Sequence, residues 1–347
     1  MPRQQCTTIT VFTVQSFGRE RTIWQDQGRS FSNNGTSVTA ALSTEKVLTF
    51  QGLTSDDFRH PLDLQNTSLL RAIPGLELIA KSIMGPLLEQ VLVLENLSTS
   101  IKIGPQQLPN IHTLLTDAAS ILQMDPPELY IRQSPIPNAY TLAISGRAPF
   151  IVIHTALIEL LTPLELQAVL AHELGHLKCN HGLWLTVANV IGSGVVSTLP
   201  AVNGLVTEGL MRWLRAAELT CDRAALLVTQ DSRVIVSALM KLAGGSPSFA
   251  AQLNVDAFLE QARSYEEASS SVIGWYLRNA QTSNLSHPLP VLRAREIDRW
   301  GQGPEFKALL ARNRLPRSPT MVATQQQPLR SLGTSAVPAS LRQPVRQ

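Results

Sequence analysis

The sequence predicts a mainly helical α+β fold with a small mixed sheet packed beside one helix. The chain has 347 residues, 44% of them hydrophobic, which is enough to bury a sizeable core. Three short runs with strand-like composition lie close together, at residues 128–133, 140–145 and 149–154. Segments with apolar residues at helical spacing occupy residues 69–94, 108–124, 162–182, 210–227, 234–243, 255–268 and 272–282.

The two ends are expected to lie outside the core. Residues 1–48 are rich in Ser, Thr, Gln and Arg and contain no continuous apolar run, which is typical of an organelle transit peptide. A merely disordered extension is the alternative. Residues 301–347 contain no acidic residue after Glu305, and their arginines are spread among Pro, Gln and Ser. This composition predicts a disordered basic tail.

Two parts are predicted between the ends. Residues 49–107 form an N-terminal helical segment, whose helix is interrupted near Pro74 and Pro86. Residues 108–300 form the main domain, in which an amphipathic helix comes first and the three strands follow. Turn residues separate the strands, and a Gly-Gly-Ser-Pro run at residues 244–247 separates two of the later helices.

The helix after the strands carries an H-E-L-G-H motif at residues 172–176. A threonine and a proline at residues 162–163 are typical of the N-cap and the first helical position. His172 and His176 then lie on one face of the helix, so both imidazoles can bind one zinc ion. Glu173 lies between them, where it can accept a proton from a water molecule that the ion activates.

A third protein ligand is expected, because a catalytic zinc ion usually has three. Glu218 and Asp222 lie one turn apart in the predicted helix at residues 210–227. Glu218 can reach the metal, and Asp222 can orient a histidine through its second ring nitrogen. The alternative is a solvated face, in which the two carboxylates pair with Arg215 and Arg223.

Other possible ligands fit less well. His181 is not favoured, since the pattern that takes its third histidine just downstream needs it at the position where Gly182 stands. Cys179 and Cys221 are soft donors in principle, but small buried side chains are the favoured interpretation. The chain has three cysteines, an odd and sparse set that implies no disulfide framework.

Taken in order, these residues resemble the HtpX and CAAX-prenyl-protease family of zinc metallopeptidases, a gluzincin group. The motif at residues 172–176 is followed by Glu218 and Asp222, as in that family. Further matches are a Pro-Asn-Ala segment at residues 137–139, the helix start at residues 162–166, and a His-Pro pair at residues 287–288 with Arg293 beyond it. The likeness covers about residues 114–300. Cys221 departs from the family, which usually has a small residue there.

The resemblance implies a zincin-type metallopeptidase domain that binds one Zn2+ per chain through His172, His176 and Glu218. It implies a zinc metalloendopeptidase in which Glu173 is the general base. The resemblance also implies that His287 is the second hydrogen-bond donor to the oxyanion of the tetrahedral intermediate. A structural histidine at a helix start is the alternative. Arg293 is expected to anchor its segment or to pair with Asp222.

The sheet is expected to hold the substrate, because an exposed edge strand beside the metal can bind an extended peptide through its backbone. The candidate strand covers residues 138–145, with Asn138, Ala139 and Tyr140 as substrate-binding residues. Protein or peptide substrates follow from this arrangement. An internal strand without a role in substrate binding is the alternative.

A narrower resemblance concerns the cellular location. Residues 56–63 and 70–75 are similar to the plant plastid members of the family, which associate with plastoglobules. The resemblance implies a plastid location at plastoglobules or thylakoids, with another organelle membrane surface as the alternative. Protein turnover or quality control at such a surface is the expected role. A catalytically silent structural protein of lipid particles, which retains the zinc fold, is the competing hypothesis.

Residues 179–207 contain no charged side chain, yet a full membrane crossing would separate Glu218 from the two histidines. A short helical pair is expected instead, with residues 183–206 either in the core or in contact with one lipid leaflet. The net charge of +3 and the lack of a basic-aromatic pattern argue against nucleic acid as a partner. The sequence leaves the oligomeric state open.

Overall fold

The computed structural model describes residues 48–50, 52–72, 74–75, 86–142, 149–182, 184–185, 200–271, 288–312 and 315–316. All of them belong to a compact unit, Met1–Pro316. The second unit, Arg317–Gln347, lies outside the described residues, as do nearly all of the predicted transit peptide and the predicted helix at residues 272–282.

Helices dominate the described residues, and the predicted mainly helical α+β class is confirmed. In chain order they are α1 (Pro61–Ala72), α2 (Pro86–Thr99), α3 (Pro109–Ile121), α4 (Thr155–Leu160), α5 (Pro163–Lys178), α6 (Pro200–Thr229), α7 (Ser232–Gly244), α8 (Val255–Ala268), α9 (Pro290–Gln302) and α10 (Pro304–Ala311). Short 3-10 helices occupy Ser55–Asp57 and Ala250–Gln252.

The described strands form a four-stranded mixed sheet and a small two-stranded pair. They are β1 (Leu48–Thr49), β2 (Ser100–Ile103), β3 (Glu128–Arg132), β4 (Ala139–Leu142), β5 (Phe150–His154) and β6 (Leu315–Pro316). In the larger sheet the order is β2-β3-β5-β4, with β3 parallel to β5 and both outer strands antiparallel to their neighbours. β4 is therefore an edge strand.

Three of these strands coincide with the runs that the sequence predicts, and β2 was missed. β5 is a nearly continuous apolar run and lies in the middle of the sheet, where both of its faces are covered. β2 buries only Ile103 and has no strong alternation, so its strand conformation depends on pairing with β3.

The core is built around the contact of α5 with α6. Gly175 allows the two helices to approach closely, because a Cβ atom there would lie 3.0 Å from Cβ of Ala224 and 3.1 Å from Cα of Cys221. Leu174 and Ala171 of α5 are fully buried in the same core. This contact fixes the motif helix against the helix that carries Glu218 and Asp222.

The N-terminal segment shares the core of the main domain. Phe50, Leu53 and Phe58 are buried in the main apolar cluster. On α1, Leu70 packs in a second cluster with Trp213 of α6, and the Trp213 indole donates a hydrogen bond to Thr67 at 2.9 Å. Helix α1 therefore packs directly on α6.

The described fold continues into residues 301–347, for which the sequence predicts a disordered tail. Helix α10 forms there because Phe306 and Leu309 are buried, with the Phe306 ring 5.1 Å from that of Trp300. β6 then pairs with β1 in an antiparallel arrangement. Two apolar residues at helical spacing are too short a signal to outweigh the composition of the whole stretch.

Across the part of the chain that the structure describes, none of the helices has both the length and the apolar character that crossing a membrane requires. The predicted lipid-contact stretch at residues 183–206 lies largely outside the described residues. Trp184 and Leu185, which are described, are buried beside Leu70 and Trp213.

Candidate metal centre

The start of helix α5 is fixed by several polar contacts. The Thr162 side chain accepts from the backbone N–H of Glu165, and the Glu165 carboxylate accepts from the backbone N–H of Thr162. Lys241 and Ser237 of α7 each donate to the same carboxylate at 2.6 Å. Burial raises the pKa of Glu165, but these donors outweigh it and lower the pKa. The motif helix thus begins at a defined residue.

His172, His176 and Glu218 meet in the interior, and we call these three side chains the candidate metal centre. The Nε2 atom of His172 lies 3.4 Å from Oε2 of Glu218, and Nε2 of His176 lies 3.3 Å from Oε1. All three residues are at most 4% exposed. The carboxylate therefore faces both ring nitrogens from across the contact of α5 with α6.

Asp222 and Arg293 lie beside the candidate metal centre and contact His172 and Glu218. Asp222 Oδ1 lies 3.1 Å from Nδ1 of His172, and Arg293 donates to both oxygens of Asp222 at 2.6 and 2.8 Å. Arg293 Nη1 also lies 3.2 Å from Glu218. Burial raises the pKa of Asp222, but the Arg293 charge outweighs it, so the carboxyl is held ionised. Both carboxylates are buried, which excludes the solvated face that was their alternative.

The electrostatic field of the candidate metal centre favours a cation. Burial lowers the pKa of His172, but the Glu218 charge and the hydrogen bond to Asp222 outweigh it and raise the pKa to about 9. The same negative field that favours a proton on this imidazole favours a metal ion at its Nε2 atom.

Glu173 lies on the same face of α5 and is fully buried. Thr141 of the edge strand β4 donates to Oε2 of Glu173 at 2.7 Å. The other carboxylate oxygen, Oε1, is buried and has no hydrogen-bond partner among the described residues. One oxygen is thus held by the sheet, and the other remains available to a bound molecule.

The residues of the candidate metal centre fit a divalent transition metal. Their donors are two imidazole nitrogens and a carboxylate oxygen, and Nε2 of His176 is buried without a hydrogen-bond partner in the described part of the chain. Cys221 offers a second donor set, since its sulfur and one ring nitrogen of each histidine lie within 4.8 Å of one another. Burial raises the pKa of the Cys221 thiol well above its usual value, so we favour Glu218 as the third donor.

His181 lies next to the candidate metal centre and contacts His176. Its Nδ1 atom is 3.2 Å from Nδ1 of His176, and its Nε2 atom is 3.0 Å from Asp63 of α1. Sequence reasoning missed Asp63, since no local pattern links it to residues more than a hundred positions later. It also missed Thr141, which reaches Glu173 only because β4 packs beside α5.

Within the predicted substrate strand, β4 covers Ala139–Leu142, and residues 143–145 lie outside the described residues. Asn138 precedes β4, and its carbonyl accepts from the backbone N–H of His154. Ala139 is buried, and the Tyr140 hydroxyl lies 3.5 Å from Arg132. The predicted oxyanion donor, His287, also lies outside the described residues.

Comparison with known proteins adds an independent finding. A family model described as peptidase family M48 matches residues 105–301. The chain is 65% identical over 269 residues to a plastoglobule-localized metallopeptidase 48 of Arabidopsis thaliana chloroplasts, which covers 76% of this chain and 78% of that protein. It is 28% identical over 169 residues to a protease HtpX homolog 2 of Methanosarcina mazei, covering 41% of this chain and 58% of the relative. A protease HtpX homolog of Moorella thermoacetica is similar to the same extent, at 28% identity over 172 residues. No solved structure matches the chain.

Proposed function

Because the chain belongs to peptidase family M48, we propose that it is a zinc-dependent metalloendopeptidase acting through the candidate metal centre. The observation that carries the proposal is the position of Glu218, whose carboxylate lies within 3.4 Å of Nε2 of both His172 and His176. Two imidazole nitrogens and one carboxylate oxygen suit zinc in a catalytic site, where three protein ligands leave one coordination position open.

A zinc ion bound there would supply a Lewis acid that polarises the scissile carbonyl and lowers the pKa of water. Glu173 accepts the proton of the attacking water molecule and later gives it to the departing amine. Thr141 holds one oxygen of Glu173, so that the other oxygen faces the reacting atoms. The Asp222 carboxylate, itself fixed by Arg293, keeps the His172 ring in one orientation.

For substrate binding we propose β4, with Asn138, Ala139 and Tyr140, as the strand that pairs with an extended peptide. Its place at the sheet edge beside α5 supports this role. Such pairing contacts main-chain atoms, which suits an endopeptidase of broad preference. His287 is proposed as the second donor to the oxyanion, a role that rests on the family resemblance alone.

The plastid and plastoglobule location follows from the high identity to the chloroplast plastoglobule protein. We propose that the substrates are proteins at that lipid surface and that the enzyme acts in their turnover. We also propose that residues 1–48 contain a transit peptide and that residues 108–300 form the peptidase domain.

The test is hydrolysis of an unfolded protein such as reduced casein by the purified chain. We expect peptide release that 1,10-phenanthroline abolishes and that added zinc restores. A His172→Ala/His176→Ala variant, purified in parallel, controls for contaminating proteases and should be inactive with or without zinc. Zinc binding by the wild-type chain without any hydrolysis would contradict the proposal and favour the silent structural protein instead.

A further inference from the structure

His176, His181 and Asp63 form a continuous chain of contacts in the interior. Nδ1 of His176 lies 3.2 Å from Nδ1 of His181, and Nε2 of His181 lies 3.0 Å from Oδ2 of Asp63. None of the three is more than 2% exposed. Asp63 belongs to the first turn of α1, before the residues 105–301 that match the family model.

One assignment of protons satisfies every contact in this chain. The Asp63 carboxylate can only accept a hydrogen bond, so His181 carries its hydrogen on Nε2 and donates it to Asp63. The Nδ1 atom of His181 is then an acceptor, so His176 carries its hydrogen on Nδ1 and donates it to His181. With this assignment His176 offers an unprotonated Nε2 atom to a metal ion, as a histidine ligand must.

Asp63 is itself held from several sides. Thr220 of α6 donates to Oδ2 at 2.8 Å, Thr67 donates to Oδ1 at 3.0 Å, and Nε of Arg59 lies 3.5 Å from Oδ2. Burial raises the pKa of Asp63, but His181, Thr220 and Arg59 outweigh it and lower the pKa to about 2. The carboxylate is therefore ionised at neutral pH and fixed in place.

The two histidines of the candidate metal centre are thus supported in parallel ways. On its Nδ1 side His172 has a carboxylate in direct contact, Asp222, whereas His176 has His181 with the Asp63 carboxylate behind it. Carboxylates on the outer nitrogen of a histidine ligand fix the ring and its tautomer and strengthen metal binding.

We propose that Asp63, acting through His181, is a positioning residue that fixes the ring orientation and tautomer of His176 for metal binding. The inference rests on the proposed function, since it assigns a role at the same centre. On this proposal, helix α1 supports the candidate metal centre, although the family match begins only at residue 105.

The test is the zinc affinity of the full chain, measured at fixed pH by competition with a chromophoric chelator. We expect Asp63→Leu and His181→Phe to weaken zinc binding by about 10- to 100-fold, the usual effect of losing such an outer partner. His181→Gln should bind zinc within about threefold of the wild type, because its amide oxygen can accept from His176 and its amide nitrogen can donate to Asp63. A merely structural role for His181 predicts no such rescue.

Leu70→Ala is the matched control. It removes a buried side chain that packs in one cluster with Trp213, so it loosens the packing of α1 on α6 and leaves the hydrogen bonds of Asp63 to Thr67, Thr220 and His181 in place. We expect a lower melting temperature with unchanged zinc affinity. If Asp63→Leu does not fold, Asp63→Asn, which retains the shape and loses the charge, should weaken zinc binding about tenfold.

The possible failures are distinguishable. Zinc affinity equal to the wild type in a folded Asp63→Leu or Asp63→Asn chain would overturn the positioning role and leave the proposed function intact. Equal affinities of His181→Gln and His181→Phe would overturn it as well. If His176→Ala binds zinc as tightly as the wild type, the candidate metal centre itself is wrong, and both proposals fail.

Discussion

Glu173 combines one oxygen held by Thr141 with a second, buried oxygen that lacks a hydrogen-bond partner among the described residues. We expect Glu173→Gln to bind zinc normally, because the side chain is no member of the donor set, and to lower kcat by about 10²- to 10⁴-fold, the contribution of a general base. Elemental analysis gives the zinc content, and cleavage of a quenched fluorescent peptide gives the rate. A variant that retains wild-type activity would remove Glu173 from the mechanism.

Thr141 tests how much the orientation of that base matters. Thr141→Val keeps the volume of the side chain but removes the 2.7 Å hydrogen bond to Glu173. We expect kcat to fall about 10- to 100-fold with little change in KM, because a hydrogen bond to a charged group contributes about 1.5–3 kcal/mol and this one acts through the base. Thr141→Ser, which restores the hydroxyl, should recover most of the rate. Equal rates for the valine and serine variants would show that the contact has no effect on catalysis.

Helices α5 and α6 meet at Gly175, where an added methyl group would lie only 3.0–3.2 Å from atoms of Ala224 and Cys221. We expect Gly175→Ala to lower the free energy of unfolding by about 1–3 kcal/mol, since the extra carbon must push Ala224 and Cys221 away. It should also weaken zinc binding, because the helix that carries Glu218 moves away from the two histidines. Urea denaturation of the metal-free chain and chelator competition measure the two effects.

Gly209→Ala is the control for the Gly175→Ala variant. Gly209 lies within α6, and a Cβ atom there would meet nothing within 4 Å. Gly209→Ala should leave zinc affinity unchanged and raise the free energy of unfolding by up to about 1 kcal/mol through helix propensity alone. If both alanine variants behave alike, close helix packing does not set the geometry of the centre.

The elements also show which parts of the site the sequence could predict. The motif at residues 172–176 and the Glu218–Asp222 pair each lie within one helix, so helical spacing alone places their side chains on common faces. The structure brings these faces together and places Arg293 in hydrogen-bond contact with Asp222. Thr141 and Asp63 could not be predicted, because they reach the centre through packing of β4 and α1 and not through any periodic pattern.

At the scale of the molecule, the residues around the candidate metal centre come from segments that are far apart in the sequence. Helix α1 of the N-terminal segment supplies Asp63, the sheet supplies Thr141, and α9 supplies Arg293. Thr141 and Arg293 lie within residues 105–301, and Asp63 does not. If Asp63 acts as proposed, the functional unit begins earlier in the chain than the family match.

This arrangement predicts opposite results for truncation at the two ends. Every described side chain that contacts the candidate metal centre lies before Pro316, so removal of Arg317–Gln347 should leave zinc content and kcat/KM on a short peptide unchanged. Removal of residues 1–72 should lower both the melting temperature and zinc affinity, because it takes away the buried Phe50, Phe58 and Leu70 together with Asp63. Thermal denaturation and chelator competition on both truncated chains decide the matter. A tail-truncated chain that loses zinc, or one without α1 that binds zinc normally, would contradict this account of where the functional unit begins and ends.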